Sequence, residues 1–464
     1  MTRPRALLLA MALITGTASA QGFPATARRS IDSVALAELA AWRAPGMVLA
    51  IVTGDSIVYT GAYGIANSET GEKMSADMMV SVASVSKMVT ATAAAVLAAN
   101  GKLDLDAPVR TYLPWLAESI GGVSMTQLLS HTSGIDDRTP SVSPEPNGAM
   151  SAVCRAMTEG VVMARPSELW SYSNTGYTLA GCVIEAVMRV PFAQAVTQLL
   201  FQPLGMTRST YNPRIAMTYA HAQGHDTRTA TPVVVRPYNS QPSIAPAGEL
   251  ITTVGDLARL ERALLLDGVV GGARVLPPGI LARLSQKHGR GSPFLGDARD
   301  YGLGLFLREH RGLRIAEHEG IYGGFGASVA LVPDKRIAAI AVSNGRYSAP
   351  ARTTQAALEL ATGLQPSTIM TSTMPVSAKD SAAVIGRYAR PSDTLTVAAV
   401  NGKLTLRQGE RSYAIVGLSD GVLTIPGHVP SLPAPASPLE LVNSGPDGHP
   451  GFVRLSWRAY RRLP

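Results

Sequence analysis

The sequence predicts an α+β protein in two parts, a body of mixed helices and antiparallel strand pairs followed by a small antiparallel β-barrel. Three observations carry this. A helix-forming run from Ser84 to Asn100 is apolar on nearly every face and so belongs in the middle of a core. Ala316 to Asn344 alternates as strands around a Gly323-Gly324 turn. After about residue 376 the pattern becomes short strands alone, with an Asn401-Gly402 hairpin signal between Leu395–Val400 and Leu404–Arg407.

In chain order, Arg3 and Arg5 precede an apolar run from Ala6 to Gly16 and the small residues Ala18-Ser19-Ala20. This reads as a signal peptide over residues 1–20, with a mature chain from Gln21 in a periplasmic or secreted setting. The apolar run is too short for a permanent membrane span. Ser30 to Trp42 is helical, and Gly46–Val52 with Ile57–Tyr63 form a hairpin around Gly54-Asp55. The buried helix from Ser84 follows, then a helix over Gly176–Met188, and Thr231–Ala247 reads as a long surface loop. The main body spans 21–365. A Ser/Thr/Pro-rich stretch marks a linker at 366–376, and the β-barrel occupies 377–464, continued by strands at Tyr413–Leu418, Val422–Ile425, Leu439–Val442 and Phe452–Trp457.

Composition narrows the function classes. The chain has 464 residues, 46% hydrophobic and 16% charged, which suits a packed globular protein. Its net charge of +8 is not gathered into a dense basic run, and aromatics make up only 5%, so nucleic acid is excluded as a partner. Cys154 and Cys182 either pair in an oxidising compartment or sit as separate buried thiols, and both readings stay open. Two thiols and eight histidines without ligand spacing give no metal site.

The chemistry rests on three clusters. In Ser84-Val85-Ser86-Lys87 the hydroxyl needs a base, and Lys87, three residues on at a helix start, lies on the same face. Burial lowers a lysine's pKa and lets it act as a neutral base, which arginine cannot do. The plain alternative is a capping serine with a snorkelling lysine. Tyr172-Ser173-Asn174 offers a phenol to relay a proton, provided a cation lowers its pKa, and an amide to orient the lysine or a substrate carbonyl. His318-Glu319-Gly320, followed by Ile321, offers a strand edge where a glycine admits a substrate backbone and a main-chain N–H serves an oxyanion.

These clusters in this order resemble the serine β-lactamase and penicillin-binding-protein superfamily. Gly101-Lys102-Leu103-Asp104, Leu128 to Gly134, Ala247-Gly248-Glu249-Leu250 with Thr253 and Asp256, and the run from Gly323 to Pro333 resemble it too, the last most closely the class C β-lactamases and their esterase and S12-type peptidase relatives. The resemblance implies an antiparallel sheet flanked by helices with a helical subdomain. It implies Ser84 as the acylated nucleophile, Lys87 as its base, Tyr172 as proton shuttle, and Asn174, His318, Glu319, Gly320 and Ile321 on the substrate side, with no cofactor. His131 falls on a structural helix end in the family. The C-terminal part, with Tyr388 near its start, resembles the lipocalin-like modules appended to some of these peptidases.

The pattern departs from the family at its third cluster. His318 and Glu319 stand where class C β-lactamases carry Lys-Thr, a pair that helps bind the β-lactam carboxylate. A histidine is at most partly charged near neutral pH, and a glutamate repels an anion. The expected activity is therefore hydrolysis of an ester or amide, such as a D-amino-acid peptide, an ester or a β-lactam-like compound, with a small-molecule or peptide substrate that includes peptidoglycan-derived ones. Glu319, with Asp136 and Asp137 on a loop that the resemblance places near the site, suggests a substrate bearing an amine. Two rivals remain: a penicillin-binding sensor or scaffold that acylates without turnover, and a wall-binding module acting through the C-terminal part. The oligomeric state is not legible.

Overall fold

The computed structural model describes residues 23–464 apart from 141, 143–149, 239, 292, 294–296, 347, 368–372, 419–422, 426–437, 445–449 and 456. The expected signal peptide, the middle of the expected linker and Val422 lie outside the described residues.

Helix α1 (Ala25–Trp42) leads into β1 (Gly46–Thr53) and β2 (Ser56–Asn67). A short 3₁₀ turn, Ala83–Val85, opens α2 (Ser86–Ala99). Helices α3 (Asn174–Met188) and α4 (Val254–Leu265) follow, and then the strands β3 (Phe306–His310), β4 (Leu313–Tyr322), β5 (Phe325–Val332) and β6 (Ile337–Ser343). Helix α5 (Ala351–Ala361) closes the body.

From edge to edge the main sheet runs Gly289–Arg290, Asp300–Tyr301, β3, β4, β5, β6, β1, β2, Glu72–Lys73, with antiparallel pairing throughout. β1 is apolar from Met47 to Val52 because both of its faces are covered. Met47, Leu49 and Ile51 pack with Ile31, Leu39 and Trp42 of α1 and with Ala357 and Leu358 of α5. Val48, Ala50 and Val52 face the opposite core, which holds α2, α3 and α4. Twelve consecutive residues of α2, Ser86 to Leu97, are buried. Small side chains there let neighbouring elements approach from every side.

The segment Thr231–Ala247 is less irregular than expected. Val233–Val234 pairs with His225–Asp226, and 3₁₀ and α turns occupy Pro242–Ile244 and Ala245–Gly248. Cys154 and Cys182 sit on separate helices and are joined by a disulfide.

The C-terminal part is a strongly curved antiparallel sheet of ten strands among the described residues. Those used below are β7 (Gly386–Arg390), β8 (Asp393–Val400), β9 (Lys403–Gln408), β10 (Pro438–Ser444), β11 (Pro450–Leu455) and β12 (Arg458–Arg462). Asn401 and Gly402 both adopt positive φ, which the tight β8–β9 hairpin requires. Thr373–Met374, within the expected linker, pairs with Val416–Leu418 and so joins this sheet. Leu395, Leu406, Leu439 and Val453 fill its interior around Tyr388, whose hydroxyl donates to the Val384 carbonyl at 2.8 Å. Phe452 and Ala459 pack against Met163, Ala164 and Leu169, which joins barrel and body through an apolar seam.

Glu261 in α4 is fully buried, and neither carboxylate oxygen has a hydrogen-bond partner among the described residues. Burial alone holds its pKa well above the usual carboxylate value of 4.5. A raised folded-state pKa contributes stability that is complete below the unfolded value and is lost as pH climbs through the folded one. Glu261→Leu is expected to melt above the wild type, by about 2 kcal/mol at neutral pH. The gap should shrink as pH falls toward about 4.5 and level off below it. Thermal melts over that range check this, and a variant less stable than wild type at neutral pH would contradict it.

Candidate active site

The nucleophile turn forms where α2 begins. Ala83 adopts φ 47°, an uncommon backbone state for a residue with a Cβ, and the sharp turn leaves Ser84 partly exposed above a buried helix. Ser86 pins the turn from below: its hydroxyl donates to the Ala83 carbonyl at 2.6 Å and accepts the Leu250 N–H at 3.1 Å.

Lys87, one turn on, is fully buried. Its Nζ donates to Ser84 Oγ at 3.3 Å, Asn174 Oδ1 at 2.7 Å and the Ala247 carbonyl at 2.7 Å. The ammonium stands 4.7 Å from the centroid of the Tyr172 ring and 5.4 Å from that of Tyr177. Burial pushes its pKa well below the ordinary lysine range, with Asp137 pulling it up and Arg458 pushing it further down. All three protons of a charged Lys87 would be used, yet the neutral amine still has a lone pair to offer Ser84.

Asn174 is the first residue of α3, held by the Ser173 N-cap, whose hydroxyl accepts the Gly176 N–H at 3.0 Å. Its backbone N–H donates to Asp137 Oδ1 at 2.9 Å and its amide to Asp137 Oδ2 at 3.1 Å. That leaves Oδ1 facing Lys87, so Asp137 orients the amide.

Tyr172 is nearly buried beside Ser84. The sequence reading asked for a lowered phenol pKa, but burial pushes it above the ordinary value, outweighing the opposing hydrogen bond from Ser84 and the charge of Arg458. Tyr172 is therefore held as a neutral phenol beside Ser84.

His131 supports this loop. Its carbonyl accepts the Ser171 N–H at 2.9 Å and its Nδ1 accepts the Ser173 N–H at 3.1 Å. Its ring packs 4.3 Å from Tyr172 and 4.9 Å from Tyr301. Burial first, and then the charge of Lys87, keep it neutral.

β4 brings the third cluster. Gly320 lies so close to the nucleophile turn that a Cβ there would stand 2.7 Å from the Ser84 nitrogen, and closer still to the Val82 carbonyl oxygen. Only glycine lets β4 place the main chain of 320–321 against Ser84. His318 is buried, its Nδ1 2.6 Å from the Glu319 carbonyl and its Nε2 3.2 Å from the Tyr301 hydroxyl. A carbonyl partner fixes the proton on Nδ1, and burial followed by the Lys87 charge pushes the imidazole down to about 3.

Glu319 differs from its expected role as a free anion facing substrate. Both of its oxygens accept from Arg299 Nη1, at 2.9 and 3.1 Å, under the fully buried guanidinium. Asp136 is likewise matched, by Arg390 at 3.0 Å and Ser392 at 3.0 Å. Asp137 is matched by Arg458. All three carboxylates proposed to bind an amine already have arginine partners.

Sequence reading missed the contribution of the barrel. The Tyr172 N–H donates to the Trp457 carbonyl at 2.8 Å, the Ala459 N–H donates to Ser171 Oγ at 3.1 Å, and Arg458 reaches Asp137 across 321 positions of chain. No motif marks Arg458, which reads from sequence as one of several barrel arginines. In the sequence Glu249 stands out only as part of a family-like stretch. It is buried, its Oε1 has no partner among the described residues, and burial pushes it up to about 7 beside Tyr238 and Tyr322.

Comparison with known proteins agrees with this geometry. A penicillin-binding protein 4 from Amycolatopsis lactamdurans is 30% identical over 310 residues, covering 65% of this chain and 81% of that protein. A crystal structure of SurE with D-Leu matches with a TM-score of 0.71 and 24% identity, over 95% of this chain and 100% of that one, so its fold includes the barrel. The D-amino acid amidase of Ochrobactrum anthropi SV3, solved with L-phenylalanine amide, matches with a TM-score of 0.61 and 22% identity, over 73% of this chain and 99% of that one. The Beta-lactamase family model matches residues 32–364, and with it this chain belongs to the Beta-lactamase family, within the serine β-lactamase and penicillin-binding-protein superfamily.

Proposed function

We propose that this protein is a serine hydrolase that cleaves an ester or amide through an acyl-Ser84 intermediate. The observation that carries the reading is Lys87, fully buried, hydrogen-bonded to Ser84 Oγ at 3.3 Å and held well below the ordinary lysine pKa by burial. A neutral amine takes the Ser84 proton as Oγ attacks the carbonyl carbon. The negative oxygen that forms meets the main-chain N–H groups of Ser84 and Ile321. Tyr172, neutral and beside Ser84, passes a proton to the departing alcohol or amine, and water then releases the acyl group by the reverse steps. Asn174 holds Lys87 in line.

The substrate side favours esters and D-amino-acid amides or peptides over a dedicated β-lactamase. A neutral His318 and a Glu319 matched by Arg299 offer no fixed cation to a β-lactam carboxylate. Two fold neighbours were solved with amino-acid compounds, D-Leu and L-phenylalanine amide. Glu249, a buried carboxyl with an unpartnered oxygen two residues after the carbonyl that holds Lys87, favours a substrate carrying an amine. Tyr172 and Asn174 both stand at the nucleophile, which favours turnover over stable acylation. We place this activity outside the cytoplasm, with the mature chain beginning at Gln21.

Nitrocefin, p-nitrophenyl acetate, a D-alanine amide and a D-Ala-D-Ala peptide, compared side by side, test the reading. Turnover of the ester and the amide is expected, lost in Ser84→Ala. Undiminished turnover in Ser84→Ala would overturn the nucleophile, and a penicillin label that stays bound indefinitely would favour the sensor reading.

A further inference from the structure

The site is not complete without the barrel. Arg458, the first residue of β12, donates through Nε at 3.2 Å and also through Nη2 to Asp137 Oδ2. The same Asp137 holds Asn174 through two bonds, and Asn174 holds Lys87. The guanidinium carbon also lies 5.8 Å from the centroid of the Tyr172 ring. Fixing the arginine are the two neighbouring residues, Trp457 and Ala459, which bond through their backbones to Tyr172 and Ser171. The barrel thus delivers one charge to a defined place.

We propose that Arg458 is a positioning residue for acylation, clamping Asp137 so that this carboxylate orients Asn174 while its charge is balanced by the guanidinium instead of by Lys87. The inference rests on reading Ser84 and Lys87 as the acylating pair.

The electrostatics around Lys87 support the assignment. The groups that face it are Asp137 and Arg458, the imidazoles of His131 and His318, both kept neutral, and the faces of Tyr172 and Tyr177. Of the two ionised ones, Asp137 favours the ammonium form and Arg458 disfavours it. Asp137 itself is held below the usual carboxylate range against the effect of burial, chiefly by the charge of Arg458. Without Arg458, an unbalanced carboxylate would stand one residue from Lys87 and stabilise the protonated amine, which cannot accept the Ser84 proton.

The test is the pH dependence of Ser84 phosphonylation by a fluorophosphonate, in which Ser84 Oγ displaces fluoride from phosphorus, measured on the full chain with melting curves as the folding control. In Arg458→Gln the acid limb of the rate is expected to move up by about one pH unit. In Asp137→Asn it moves down, and in the double variant it returns to within about half a unit of wild type. Arg458→Lys keeps the charge and loses the planar fork, so its limb stays with wild type although its rate falls. If Asp137→Asn does not fold, the Gln and Lys variants at position 458 decide the matter between them. Limbs that superimpose in wild type, Arg458→Gln and Arg458→Lys, with only the height changed, would reduce Arg458 to a structural tie and overturn the proposal. Absence of any Ser84 labelling in the wild type would instead overturn the acyl-serine reading beneath it.

Discussion

Lys87→Met is expected to lower kcat/KM by about 10⁴-fold or more for any ester or amide the wild type turns over. The substitution keeps the unbranched four-atom stem and most of its packing while removing the nitrogen that Ser84 Oγ meets at 3.3 Å. No other group takes over. His131 is neutral and bonded to the Ser173 N–H, His318 is bonded to Tyr301 and to the Glu319 carbonyl, and the Tyr172 phenol is held above its ordinary pKa. The pH profile should change with it. The depressed Lys87 pKa makes the base form available once pH exceeds the folded-state value, so the wild-type rate rises with pH through that point. Lys87→Met should lose this limb. Steady-state kinetics over pH, with a melting curve to show the fold intact, check both statements. Activity within tenfold of wild type would remove Lys87 from the mechanism.

Gly320→Ala is the second large effect, and its cause is steric. The added Cβ would stand 2.7 Å from the Ser84 nitrogen and 3.0 Å from the Ala83 Cβ. Its nearest neighbours include the backbone of the nucleophile turn, which has no flexible side-chain end to move aside. Either β4 retreats or the turn around Ala83 opens, and both separate the N–H groups of Ser84 and Ile321. Misplacing one oxyanion donor costs about 10²–10³ in kcat. Overpacking of this kind also costs about 1–3 kcal/mol in stability. The measurements are kcat on the best ester and a thermal melt. Normal kcat would show that β4 does not supply the oxyanion site.

The local parts of the site were legible in the sequence. Ser84 and Lys87 share a face because helix geometry sets their spacing, and a glycine after His318-Glu319 fits a strand edge pressed against another backbone. The apolar α2, the β1–β2 hairpin and the Asn401-Gly402 turn are likewise local features that residue type imposes. Charge was not legible in this way. Glu319, Asp136 and Asp137 read as free acids because nothing nearby in sequence neutralises them, yet each meets an arginine brought from elsewhere: Arg299, Arg390 and Arg458. The phenol of Tyr172 and the imidazole of His318 were judged by their ordinary pKa values, and burial moved both.

From sequence alone, then, come the family, the order of its clusters and the side chains proposed to carry the chemistry, since these depend on residue identity and short-range spacing. Only the tertiary structure decided which charges surround Lys87, and that the barrel sets Arg458 on Asp137. Desolvation and ion pairing depend on what packs at a distance of a few ångströms, whatever the separation along the chain.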